Sequence, residues 1–147
     1  MASFDLSKYQ TVQQRIDLFW ELYPNGRFNI EIVSLTPEQV VMKGEVWTDW
    51  ERDEPTCVDF AEERLTTSGV NRTSFIENCS TSVLGRCISQ LGGALSPAGL
   101  KPSREEMEKV QRRTENDFYL AMGEEKTIEG LRILYAEAQK AGVSSQL

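Results

Sequence analysis

The segment 71–92 constrains the fold most, because it has the pattern of one amphipathic helix with a defined start and end. Its apolar residues recur at intervals of three and four, which places them on one buried stripe. Ser74 and Glu77 match a capping box at the amino end, and two glycines follow as a stop signal. Thr81, Ser82, Gly85 and Ser89 lie off the stripe or at its edge and Arg86 is the only cation inside the helix, so this small-residue surface lets another backbone or a phosphodiester chain come close. The stripe consists of Ile76, Cys79, Val83, Leu84, Cys87, Ile88 and Leu91.

The pattern along the rest of the chain predicts an α+β fold. A helix with Thr11 as its N-cap is followed by three segments in which apolar and polar residues alternate, as in half-buried strands. Short connections between these segments favour an antiparallel sheet, and two amphipathic helices follow the central one. The predicted elements are a helix over 11–22, strands over 27–35, 40–48 and 56–65, the central helix, and C-terminal helices over 103–122 and 127–141.

The positions of glycine and proline predict where the chain divides into a core, a connecting segment and a C-terminal extension. Residues 1–93 form an α-β-β-β-α core, and 94–102, with its prolines and glycines, is a linker or an ordered surface loop. Residues 103–147 form a helical C-terminal extension. That extension belongs either to the same domain or to a contact between copies of the chain.

The residue inventory argues against catalysis, cofactors and metals. The chain has no histidine, which excludes Ser-His-Asp and Cys-His mechanisms, and it has no Walker motif for ATP. Its three cysteines are predicted to be buried thiols; Cys79 and Cys87 are two helical turns apart, ~12 Å, too far for a disulfide. The acidic loop 49–55 lacks the spacing of a calcium loop and is predicted to be solvated. A small metal-dependent nuclease using Asp59 and Glu62 stays open as a lesser alternative.

Membrane and export signals are not evident in the sequence. No apolar run approaches the about 20 residues that cross a bilayer. The residues after Met1 lack the basic and apolar regions of a signal peptide, so we expect a cytoplasmic protein with no membrane partner.

Charge is distributed unevenly along the chain. The net charge is −7, which taken alone argues against nucleic acid as a partner. The stretch 64–104, however, carries five cations and one anion, a net charge of +4 around the central helix. The distribution is therefore more informative than the total.

A groove for single-stranded nucleic acid would explain this stretch, because such grooves combine cations along the phosphates with aromatic rings that stack on bases. Trp47 could instead be a packed strand residue, and Phe75 could be a stacking ring or part of the core. The predicted binding residues are the cations Lys43, Arg64, Arg72, Arg86, Lys101 and Arg104, the aromatics Trp47 and Trp50, and the polar residues Asn71, Thr73 and Ser82.

The run 71–86, Asn-Arg-Thr-Ser-Phe-Ile-Glu-Asn-Cys-Ser-Thr-Ser-Val-Leu-Gly-Arg, resembles the signature of bacteriophage single-stranded-DNA-binding proteins. In that family it usually reads Glu-Asn-Cys-Glu-Thr-Ser-Ala-Ile-Gly-Arg-Ala-Leu. Ser80 stands where the family commonly has Glu, and Cys87 with Ile88 stands in place of Ala-Leu. These proteins are similar to the Erf and Sak strand-annealing proteins. The residues that match the signature are Asn78, Thr81, Ser82, Gly85 and Arg86.

The resemblance implies a sheet-plus-helix core that assembles into rings or filaments, with single-stranded DNA along a basic groove. It implies a non-enzymatic phage protein that protects or anneals strands without ATP during DNA replication and homologous recombination. The location would be the cytoplasm of the infected bacterial host, with phage or host replication proteins as further partners. The alternative is an oligomerising interaction protein that binds no nucleic acid. Convergence of the basic residues on one groove would favour the first.

Overall fold

The computed structural model describes residues 5–67 and 69–142. The first residues of the predicted core (1–93) and the last residues of the predicted C-terminal extension (103–147) therefore lie outside the described residues. The predicted α+β class and element order are confirmed, and the boundaries fall within a few residues of those predicted. Among the described residues, no helix is long and apolar enough to cross a membrane. The elements are α1 (Val12–Leu22), β1 (Arg27–Leu35), β2 (Gln39–Trp47), β3 (Cys57–Arg64), α2 (Phe75–Ser89), α3 (Arg104–Glu124) and α4 (Ile128–Lys140).

The chain forms two compact units. One is Tyr9–Glu105, which contains α1, the sheet and α2; the other comprises α3 from residue 106 onward, α4 and the residues before Tyr9. The predicted core ended at residue 93, whereas the first unit continues to 105. The segment 94–102 is a loop of that unit, in which Leu95 packs into the core.

Arg15 explains why this segment is ordered. Its side chain is fully buried, and its Nη2 donates to the carbonyl oxygens of Leu100 at 3.2 Å and Pro102 at 2.9 Å. Its Nη1 donates to the carbonyl oxygen of Gly85 in α2 at 3.1 Å. One guanidinium thus connects α1, α2 and the loop, because its planar fork offers several donors in fixed directions.

The sheet has strand order β1-β2-β3 with both pairs antiparallel. Alternate residues of β2 point to opposite faces, and Val40, Met42 and Val46 are buried on the face that α2 covers. A bulge interrupts the pairing of β1 with β2, because Ile32 pairs with Met42 and Ser34 pairs with Val41. We call the opposite face, on which Val58, Phe60 and Arg64 are exposed, the open face.

Three free cysteines contribute to the core between α2 and the sheet, which confirms the prediction of buried thiols. The thiol of Cys87 donates to the carbonyl oxygens of Cys57 at 3.2 Å and Gly44 at 3.5 Å. Burial, with smaller contributions from the neighbouring Cys57 and Asp59, raises the pKa of Cys87 to about 12. These thiols therefore act as small apolar residues with a weak donor.

Helix capping follows the sequence at α1 but not at α2. Gln14 N–H donates to Thr11 Oγ1 at 3.1 Å, and Thr11 N–H donates to Gln14 Oε1 at 2.9 Å, which completes a capping box. The box predicted from Ser74 and Glu77 is wrong, because the Ser74 side chain makes no capping bond. A 3-10 turn over Val70–Arg72 leads directly into α2, and Ser74 has φ −139° and ψ 38° instead of the extended conformation typical of a cap.

Candidate nucleic-acid interface

The open face of the sheet carries an exposed aromatic ring on β3, one of its two outer strands. Phe60 is 51% exposed in β3 and lies directly across from Lys43 in β2. Val58, two residues earlier on the same strand and face, is also exposed. Phe60 was not among the predicted binding residues. A ring presented on an uncovered antiparallel sheet is a surface on which a base can stack.

Charges on the open face form local pairs. Lys43 Nζ lies 2.9 Å from Glu45 Oε1, and Arg64 Nε lies 2.5 Å from Glu62 Oε1. The Lys43 ammonium, with help from an amide hydrogen bond, lowers the pKa of Glu45, and Arg64 lowers the pKa of Glu62. With Arg27 and Glu31 included, the strand residues of this face carry three cations and three carboxylates and are net neutral.

The two predicted stacking tryptophans differ in accessibility. Trp47 is only 6% exposed, and the guanidinium carbon of Arg27 lies 3.9 Å from its ring centroid, so its ring is already covered. Trp50 is 59% exposed in the β2–β3 loop, where its backbone N–H donates to the carbonyl oxygen of Asn25 at 2.8 Å. Trp50 is therefore accessible, whereas Trp47 matches the alternative of a packed strand residue.

A second group of predicted residues lies at the carboxyl end of β3. Arg64 ends the strand, and Arg72 and Thr73 are exposed in the β3–α2 loop (65–74). Thr66 N–H donates to the carbonyl oxygen of Asn71 at 3.3 Å, which folds the loop back so that its far half returns to the end of the strand. A groove of about 420 Å³ opens here, lined by Thr36, Glu38, Gln39, Arg64, Leu65, Thr66 and Thr67.

Two predicted polar residues, Asn71 and Ser82, belong to a buried network instead of an exposed surface. Asn71 Nδ2 donates to Glu63 Oε2 at 2.6 Å, and Ser82 Oγ donates to Glu63 Oε1 at 3.2 Å. Asn78 Nδ2 in turn donates to Asn71 Oδ1 at 2.7 Å. The signature residues Asn78 and Ser82 thus connect α2 to β3 and to the loop.

Arg86, further along α2, also contacts a polar side chain of β3. Its Nη2 lies 3.7 Å from Asp59 Oδ1, and the side chain remains about half exposed. Gln90, one turn further, donates to Asp59 Oδ2 at 3.0 Å and to the Val58 carbonyl oxygen at 2.8 Å. Arg86 therefore retains solvent-accessible surface while it contacts a carboxylate of the strand.

The remaining predicted cations lie near the start of α1. Arg104 donates from Nε to the carbonyl oxygen of Tyr9 at 3.2 Å. Lys101 is exposed between the two residues whose carbonyl oxygens accept from Arg15. Lys101 lies on the loop that follows α2, which Arg15 connects to α1, whereas Arg104 is the first residue of α3.

The predicted residues therefore occupy separate places, and the basic residues do not all converge on one groove. Lys43 and Arg64 share the open face with Phe60, and Arg72 and Thr73 adjoin Arg64 through the loop. Trp50 lies beyond the other end of β3, whose eight residues span about 25 Å. Phe75 packs against the core cluster and matches the core alternative. The other cations lie elsewhere: Arg86 is on α2, Lys101 is on the loop that follows it, and Arg104 is the first residue of α3.

Carboxylates give no metal site in the described chain. Asp59 faces α2 whereas Glu62 points to the open face, because alternate residues of a strand lie on opposite sides. Across residues 5–67 and 69–142, no group of three or more His, Cys, Asp or Glu side chains is placed to hold a metal ion. The arrangement proposed for a metal-dependent nuclease does not form in these residues.

Comparison with protein-family models returns no match. Comparisons with curated proteins and with solved structures likewise return none. A functional interpretation therefore depends on the geometry of the chain and on the resemblance of the run 71–86 to the phage signature.

Proposed function

We propose that this chain is a non-enzymatic single-stranded-DNA-binding protein of the phage strand-annealing type. The observation that carries the proposal is the exposed ring of Phe60 on the open face, directly across from Lys43. Arg64 at the end of the same strand and Arg72 in the adjoining loop extend this surface with two cations. The resemblance of the run 71–86 to the phage signature supports the same function independently.

Stacking supplies more of the binding free energy than phosphate contacts do in this proposal. The open face is net neutral, and stacking of one base on an aromatic ring contributes about 1–3 kcal/mol whatever the base. For single strands the logarithm of the affinity falls with the logarithm of the salt concentration by about 0.7 per neutralised phosphate. Two phosphate contacts, at Arg64 and Arg72, give a slope of about −1.4.

The biological setting follows from the resemblance. The protein protects or anneals single strands during phage DNA replication and recombination in the cytoplasm of the infected bacterium, without ATP. Its net charge of −7 opposes DNA binding by an isolated chain. Assembly into rings or filaments that align the open faces presents a longer stacking surface, and stacking along that surface opposes the repulsion.

A second candidate, an oligomerising interaction protein without nucleic-acid binding, is favoured by one observation. Ile32, Val33 and Leu35 are each about half exposed on β1, one of the two outer strands of the sheet. An edge strand with exposed apolar residues readily pairs with another chain. This feature serves assembly with or without DNA.

Fluorescence anisotropy of a labelled dT oligonucleotide, titrated with the protein at two salt concentrations, tests the proposal. We expect saturable binding that weakens modestly at higher salt and much weaker binding to a duplex of equal length. Absence of binding at low salt, together with a multimer in light scattering, would replace the proposal with the second candidate.

A further inference from the structure

The β3–α2 loop combines exposed and buried residues in direct succession. Arg72 and Thr73 are exposed, whereas the side chain of Asn71 is turned inward and makes two hydrogen bonds. Because neighbouring residues share a peptide plane, the anchoring of Asn71 restricts the directions in which Arg72 can point. The group that anchors Asn71 therefore determines how Arg72 is presented.

That group is Glu63, a carboxylate that is only 9% exposed. Its Oε2 accepts from Asn71 at 2.6 Å, and its Oε1 accepts from Ser82 of α2 at 3.2 Å. Hydrogen bonds to a charged acceptor are stronger than bonds between neutral groups, and a buried carboxylate needs them to offset its lost hydration. Glu63 thus joins three elements at one point: β3, the loop and α2.

We infer that Glu63 is a positioning residue that holds the β3–α2 loop so that Arg72 is presented to the phosphates of a single strand. The inference deepens the proposed function and rests on it. Glu63 itself lies beneath the loop and contacts no DNA. Its effect on binding passes through Asn71 to Arg72.

Glu63→Ala and Glu63→Gln separate this role from a general loss of packing. The alanine variant removes both acceptors and leaves the Asn71 amide without its partner. The glutamine variant retains the shape, can still accept from Asn71 and can donate to the Ser82 hydroxyl, so it restores most of the connection. Gln90→Ala is the matched control, because Gln90 also joins α2 to β3 but lies far from the loop.

Limited trypsin digestion of the folded full-length chain tests the positioning without DNA. Cleavage after Arg72 requires local opening of the loop, so its rate reports how firmly the loop is held. We expect Glu63→Ala to accelerate this cleavage about tenfold, Glu63→Gln to accelerate it less, and Gln90→Ala to leave it within about twofold. Equal rates in the wild type and Glu63→Ala would overturn the inference.

Anisotropy with the dT oligonucleotide tests the consequence for binding. We expect Glu63→Ala to weaken binding about fivefold in the wild-type chain but less than about twofold in an Arg72→Ala background, since Arg72 then no longer contributes. Gln90→Ala should bind as the wild type does. Effects of Glu63→Ala and Arg72→Ala that simply add would overturn the inference while leaving the proposed function intact.

Absence of DNA binding by the wild type and unfolding of Glu63→Ala are two separate outcomes. A wild-type chain that binds no oligonucleotide removes the proposed function and this inference with it, whatever the trypsin rates. If Glu63→Ala loses the far-ultraviolet circular dichroism of the folded chain, Asn71→Ala replaces it, because that variant breaks the same connection and leaves the bond from Ser82 in place. The same two readings then decide the inference.

Discussion

Val12 of α1 occupies the space that a side chain on Gly85 of α2 would need. A Cβ atom added at Gly85 would lie 2.6 Å from Val12 Cγ2, closer than side-chain carbons approach in folded proteins. Gly85 is one of the residues that match the phage signature, and the small-residue surface predicted there is covered by α1. Its glycine therefore serves the packing of two helices of this chain.

Gly85→Ala should destabilise the Tyr9–Glu105 unit. Overpacking costs about 1–3 kcal/mol, and the better helix propensity of alanine returns about 1 kcal/mol of that, so we expect a net loss of up to about 2 kcal/mol. Urea unfolding followed by tryptophan fluorescence measures it, since all three tryptophans lie in this unit.

A substitution at the residue that the new Cβ meets provides the control for Gly85→Ala. Val12→Ala should cost less in the Gly85→Ala background than in the wild type, because it removes the methyl groups that the new Cβ meets. Equal costs in both backgrounds would show that the two positions are not coupled.

Arg15→Ala should be among the more destabilising single substitutions. It leaves the carbonyl oxygens of Gly85, Leu100 and Pro102 without this donor, and we expect a loss of about 2–4 kcal/mol in the same unfolding measurement. Gln13→Ala, at an exposed position of the same helix, should change stability by less than about 0.5 kcal/mol. Similar losses for both variants would mean that the buried guanidinium is not the connection described above.

The cysteines should be unreactive in the folded protein. Burial raises the pKa of Cys57 and Cys87, and Cys79 is fully buried, so very little thiolate is present and none is accessible. At mildly alkaline pH a disulfide reagent such as Ellman's should modify the native chain very slowly and all three thiols rapidly after unfolding in guanidinium. Rapid modification of one equivalent in the native chain would contradict this packing.

Stability should be insensitive to pH near neutrality. The chain has no histidine, and Lys43 lowers the pKa of Glu45 below its ordinary value of 4.5. The contribution of Glu45 is fully present above that value and is lost as the pH falls through the lower folded pKa. The urea midpoint should thus be constant between about pH 5.5 and about pH 8 and decline below about 4.5, less steeply in Glu45→Gln. A change of midpoint near pH 6.5 would contradict it.

Periodicity was sufficient to predict the elements of this fold. The three- and four-residue spacing in α2 identifies its buried stripe, and the alternation in β2 identifies two faces. The capping box at Ser74 could not be excluded from sequence, because the 3-10 turn that precedes α2 is set by the fold of the whole loop. At α1, by contrast, Thr11 and Gln14 complete a box whose two members are local in sequence.

The open face was harder to predict, because β3 carries apolar residues on both sides. Cys57 and Ala61 point toward α2, whereas Val58 and Phe60 point away from it, and composition does not tell which side a helix covers. Arg15 was missed for a related reason: a cation three residues after Val12 and four before Phe19 lies on the apolar stripe of α1, and its acceptors are backbone oxygens that a sequence does not identify.

The affinity of Phe60→Ala for the dT oligonucleotide tests the central claim most directly. Loss of one stacked base, about 1–3 kcal/mol, should weaken binding by about 5- to 150-fold, with the salt slope unchanged. Val58→Ala, an exposed apolar neighbour on the same strand and face, should bind within about twofold of the wild type. Wild-type affinity in Phe60→Ala would contradict the assignment of this face as the binding surface.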